Sequence, residues 1–75
     1  MRELLRTNDL VLLGAVTTLL DAAGIGHLVA DAHISALEGS IGILPRRLLV
    51  VDDEAPRAWR LLAEAGFSDA LHDPA

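Results

Sequence analysis

The chain has 75 residues, a formal charge of −5, 52% apolar and 23% charged residues, and no cysteine. That length sets an upper limit of one domain, burying only about 60–65% of its unfolded surface, with no disulfide or thiolate zinc site to reinforce it. All six basic residues are arginines, so Schiff-base lysines, P-loop lysines and thiol nucleophiles are excluded, and the acidic balance argues against a nucleic-acid partner.

Charge interrupts the opening MRELLRTND too early for a signal peptide, and no apolar run reaches the roughly 18–20 residues that span a bilayer. The expectation is a cytoplasmic protein without membrane contact. Residues 2–7, RELLRT, read as a first strand. Thr7, Asn8 and Asp9 each offer an N-cap oxygen to a helix from about Leu10 to Ala23, with Leu13, Val16, Leu20 and Ala23 on its buried face and Gly24 as its stop. After the turn at Ile25 and Gly26, HLVADA (27–32) alternates as a half-buried strand, with Leu28, Ala30 and Ala32 on one side and His27, Val29 and Asp31 on the other.

The stretch from Asp31 to Arg47 then carries a thirteen-residue connector, His33 to Pro45. Loops of that length are usually functional or mobile. This one is punctuated by Gly39, Gly42 and Pro45 yet holds Ile34, Leu37, Ile41, Ile43 and Leu44, so part of it is expected to pack, with a short helical turn at Ser35 to Glu38. Arg46 to Asp52 contains the continuous run Leu48-Leu49-Val50-Val51, which needs cover on both faces and reads as a central strand. Asp52, Asp53 and Glu54 suit the positive end of a second helix, and Pro56 is tolerated in its first turn. That helix is expected to reach Ala65, bury Ala58, Leu61, Leu62 and Ala65, carry the pairs Asp53–Arg57 and Arg60–Glu64, and stop at Gly66. The remainder, FSDALHDPA, offers a short edge strand at Phe67 to Leu71 or a tail.

The order β-α-β-β-α, with a doubtful last β, matches the split βαβ of a ferredoxin-like α+β sandwich: an antiparallel sheet carrying both helices on one face, in a single domain with a core over 2–66. The other face is left open although the central strand presents apolar side chains to it. It is expected to be covered by a second copy, making a homo-oligomer (dimer or trimer), or by the connector folding back.

Several strings carry a family resemblance: ELLRTND, GIGHLVADAH, LEGSIGILPRRLLVVDD and RAWRLLAEAG. Together they resemble small bacterial domains of unknown function regarded as prokaryotic signal-transducing proteins, distantly likened to the nitrogen-regulatory PII type. The likeness covers Arg2 to Gly66 and is most specific over Leu37 to Asp53. It implies a ferredoxin-like fold and a regulatory role, with no reaction to carry over. In PII-type proteins the connector between the second and third strands contacts partners, and 31–47 takes that place here. Their nucleotide loops lie partly after the second helix, where this chain is nearly finished, so ATP binding is not inherited and no cofactor is expected.

Partner-contacting residues on this reading are Leu37, Glu38, Gly39, Ser40, Ile41, Leu44, Arg46 and Arg47, and the partner is a protein. The other reading of the region is a small-ligand or metal-ion sensor. His27, Asp31 and His33 sit at even spacing on one strand face, with Glu38 or His72 to complete a divalent set, and Arg46 and Arg47 beside the glycine amides suit an anion. Against it, no close-spaced ligand motif is present, and the arginines are accounted for by ion pairs with Glu38, Asp31 or Asp52. Ser35, Ser40 and Ser68 have no nucleophile-elbow context, and Asp52 with Asp53 is better explained by capping; the expectation is no enzyme. Trp59, beside the apolar stripe of the second helix, reads as a core or interface anchor.

Overall fold

The computed structural model describes residues 1–31 and 45–72. Strand β1 (Arg2–Thr7) leads into helix α1 (Leu10–Ala22), strand β2 (His27–Asp31), strand β3 (Arg46–Val50) and helix α2 (Ala55–Leu62). The sheet order is β1-β3-β2, with β3 antiparallel to both neighbours. The two outer strands therefore run parallel to each other with the third inserted between them, which is the split βαβ arrangement. This is an α+β fold of the ferredoxin-like kind.

Local chemistry sets the element ends. Asp9 is the N-cap of α1: its carboxylate accepts from the amides of Val11 (3.0 Å) and Leu12 (3.2 Å), satisfying two of the helix's orphan donors. Thr7 supports that turn by accepting from the Asp9 amide at 3.0 Å. At the far end Gly24 sits at φ 72°, a conformation that costs a side-chain-bearing residue and that glycine adopts freely. The acidic trio Asp52–Glu54 forms a 3₁₀ turn ahead of α2. The second helix is shorter than its apolar pattern suggests. It ends at Leu62 and loosens into a π-type turn over Ala63–Phe67, inside which Gly66 (φ 100°) reverses the chain.

Both helices lie on one face of the sheet. Leu13, Val16 and Leu20 of α1 and Ala55, Ala58 and Leu62 of α2 close over Leu5, Leu48 and Val50. Directly opposed residues of antiparallel strands project from the same face, so the register assigns the sides. Leu48 meets Leu5 and Val29 on the helix-covered face, whereas Leu49 meets Glu3 and Leu28 on the other. Between Glu3 and Leu5 the register shifts by one residue. This bulge explains how the consecutive Leu4 and Leu5 are both buried, since two residues of the bulged strand oppose one on the partner.

Residues 67–71 form no strand. Ser68–Ala70 make a 3₁₀ turn, and a single bridge, Leu71 to Leu5, takes the place a fourth strand would hold beside β1. Of the two helix ion pairs expected, neither forms: Arg57 bonds Glu54 at 3.0 Å, one residue nearer than Asp53, and Arg60 and Glu64 make no pair among the described residues. Arg57 is diverted because its second nitrogen donates to the carbonyl of Ala23 at 2.8 Å, tying α2 to the negative end of α1.

Candidate functional site

The stems of the connector mark one end of the sheet. Thr7 pairs in register with Arg46, and Arg46 with Asp31, so the last residue of β1, the last of β2 and the first of β3 lie side by side. Helix α1 begins at this same end, three residues after Thr7. Leu37, Glu38, Gly39, Ser40, Ile41 and Leu44, together with His33 and the helical turn expected at Ser35 to Glu38, lie outside the described residues.

Arg46 and Arg47 straddle β3, as their adjacency requires. Arg46 shares the helix-covered side with Leu48, while Arg47 projects from the other, open face, which no element among the described residues covers, directly opposite Arg6 on β1 and Ala30 on β2. The connector, the alternative cover, lies outside the described residues. Asp52 partners neither. It lies beyond the other end of β3 and meets the N-terminal ammonium of Met1 at 3.4 Å.

The open face thus has two rows. One is Glu3, Leu49 and Leu28, with Leu28 52% exposed; the other is Arg6, Arg47 and Ala30. Glu3 bonds Arg6 at 3.2 Å, but Arg47 has no ion-pair partner among the described residues. Two arginines stand directly opposed in a chain with only six, and such like-charged cross-strand pairs are destabilising. Arg6 went unmarked in the sequence because its significance depends on the 6-to-47 register. The only available signal was an arginine near the end of each of two strands.

His27 faces the helices. Its Nδ1 lies 3.1 Å from the carbonyl oxygen of Ile25 and its Nε2 3.6 Å from the Asp21 carboxylate, so both nitrogens already have local neighbours. His72 is placed apart from it. The His72 amide donates to Leu4 on the outer edge of β1 at 2.7 Å, three strand spacings or about 14 Å from β2. The two histidines cannot share one metal ion.

His72 belongs to a second cluster that sequence reading did not anticipate. Its Nε2 lies 2.5 Å from Glu3, and its carbonyl accepts the Trp59 indole N–H at 2.7 Å. Arg2, Glu3, Leu4, Ala55, Pro56, Trp59 and His72 line a cleft of about 50 Å³ there, room for little more than a water or two. Trp59 packs against the core and ties α2 to the C-terminal turn, whose His72 amide bonds β1. For Glu3, burial is the strongest single influence and pushes its carboxyl upward. The hydrogen bonds from His72 and Arg6, with their charges, outweigh it and hold the group below its ordinary 4.5. A depressed carboxylate contributes stability that is present above the unfolded value and is lost as pH falls through the folded one. Acid titration of the urea midpoint downward from 4.5 is therefore expected to show a loss that Glu3→Gln lacks, and parallel curves for the two proteins would remove Glu3 from this role.

Among the described residues no helix is long and apolar enough to cross a membrane. What the fold and site define is a small α+β domain with a basic-apolar sheet face that no element among the described residues covers. A family profile described as "putative prokaryotic signal transducing protein" matches residues 1–66, and the chain belongs to that family. No curated protein matches it. The Leu71 bridge and the His72 contacts fall just outside the matched region.

Proposed function

We propose that this domain is a non-catalytic regulatory module that docks a protein partner through the 31–47 connector and the open face of β2 and β3 beside it. The observation that carries the reading is the opposed Arg6 and Arg47 next to the exposed Leu28 and half-buried Leu49. A repelling pair beside unfilled apolar surface lowers the stability of the isolated chain, and an acidic, partly apolar partner relieves both. The connector then serves as the partner-contacting loop does in PII-type regulators, with Leu37, Ile41 and Leu44 as anchors and Glu38, Gly39, Ser40, Arg46 and Arg47 around them. No cofactor or reaction enters this mechanism.

The test is co-purification from the native cell. Tagged wild-type chain should retain a partner that the Leu37→Ser, Ile41→Ser, Leu44→Ser triple variant loses while its circular dichroism stays unchanged. Equal recovery by both proteins would overturn the reading.

A further inference from the structure

Strand β1 is an edge strand: β3 pairs with one side of it, and among the described residues only Leu71 bridges the other. Such an edge offers backbone groups to which another extended chain can add. The C-terminal turn already sits on it in that way. Leu71 is extended (φ −87°, ψ 148°) and bridges Leu5 in antiparallel sense, and the His72 amide donates to the Leu4 carbonyl at 2.7 Å.

The turn is held lightly. No residue from 63 to 72 is buried, although Phe67 and Leu71 touch the core, and segments with so few buried contacts open at less free energy than the rest of a domain. Its polar hold is concentrated in one exposed residue: besides the amide bond to Leu4, the His72 Nε2 lies 2.5 Å from Glu3 and its carbonyl accepts the Trp59 indole N–H at 2.7 Å. The turn departs from the reversal at Gly66, where φ is 100°. The family match stops at that same residue, so the segment beyond it lies outside the shared domain.

We propose that residues 67–72 form a releasable strap, seated in cis on a site at the outer edge of β1 that accepts an extended chain segment. The groups at the seat state what it takes. The Leu4 carbonyl receives a backbone amide, the Trp59 indole N–H meets a backbone carbonyl, and the Glu3 carboxylate receives a side-chain donor. Its floor is apolar, with Leu4, Leu5 and Ala55 all buried, and it continues past His72 as the cleft of about 50 Å³ lined by Pro56 and Trp59. The fitting occupant is an extended segment with an apolar residue followed by one whose side chain donates a hydrogen bond, as Leu71 and His72 do. While the strap is seated, it closes the edge to any other chain. The site uses neither Arg47 nor Leu28 and is separate from the partner-docking face.

A short tether gives the strap an effective concentration on the order of millimolar, so a strap seated most of the time has a millimolar or tighter affinity in trans. The test is a nuclear magnetic resonance titration with the peptide FSDALH, residues 67–72. The host is the full chain carrying Leu71→Ser and His72→Ala, whose own strap is unseated. The peptide is expected to shift the Trp59 indole and the Leu4 and Leu5 amides saturably, and a peptide carrying the same two changes to shift none of them. The wild type should need about tenfold more peptide for the same shift, because its own strap occupies the site. Should the double variant fail to fold by circular dichroism, His72→Ala alone, at an exposed position, is the host. No saturable shift up to about 10 mM peptide, equal shifts with the altered peptide, equal affinity of wild type and variant, or shifts confined to Leu28 and Leu49 would each overturn the strap.

Discussion

Leu48→Ala is expected to cost about 3–4 kcal/mol, while Leu49→Ala costs about 1 or less. Both residues sit mid-strand in β3, one position apart, in a run that is uniformly apolar. Leu48 is fully buried between Leu5 and Val29 under both helices, and truncating such a leucine loses its transfer energy and leaves a cavity. Leu49 is half-buried on the face that no helix among the described residues covers and loses only part of that contact. A 75-residue domain holds on the order of 4–11 kcal/mol in all, so the first substitution removes a large share of it and lowers the thermal midpoint by about 15 °C or more. Urea denaturation of the two variants measures the difference. Equal costs would mean that the second face is covered as fully as the first, and the docking surface assigned to it would disappear.

That pair also marks how far the sequence carries. The LLVV run identifies a central strand whichever face is covered, because apolar residues on both sides are its only local signal. Which leucine faces the helices follows from pairing with β1 and β2, and pairing is non-local. The same limit hides the bulge at Leu4: ELLR reads equally well as a strand interior or as a bulged strand. Helix α1 was legible in its cap, stop and buried stripe, all set within a few residues. The exposure of Leu10 and Val11 was not, since a stripe at 3, 4, 3 spacing accounts for Leu13, Val16 and Leu20 without asking what those two face. Trp59 reads as an anchor from its type and neighbours, but its indole's partner is a carbonyl thirteen residues on, reachable only after Gly66 reverses the chain. Arg57 likewise leaves Asp53 for Glu54 because the carbonyl of Ala23, thirty-four residues away, holds its other nitrogen.

Arg47→Ala is expected to leave stability unchanged or raise it slightly, and to weaken partner capture by well over tenfold. Removing one member of an opposed like-charged pair relieves repulsion of the order of a few tenths of a kcal/mol, and Arg47 gives up no ion pair among the described residues. In a complex, the same guanidinium becomes desolvated against an acidic group, and truncating one side of such a contact costs about 2–5 kcal/mol. Arg6→Ala is the informative companion. It too relieves the repulsion but frees Glu3 from its 3.2 Å bond, so a small stability loss should accompany its binding defect. Arg60→Ala serves as the control: this arginine is exposed on α2, across the sheet, with no partner among the described residues, and its loss should not affect capture. Capture by the wild type should fall with added salt more steeply than capture by Arg47→Ala, because screening acts on the charge that the variant lacks. If Arg47→Ala instead destabilises the isolated chain by 1 kcal/mol or more, as it would on losing an internal ion pair of the buried kind, Arg47 is an internal pin of the connector. The stability measurement therefore separates a docking arginine from a structural one before any partner is identified.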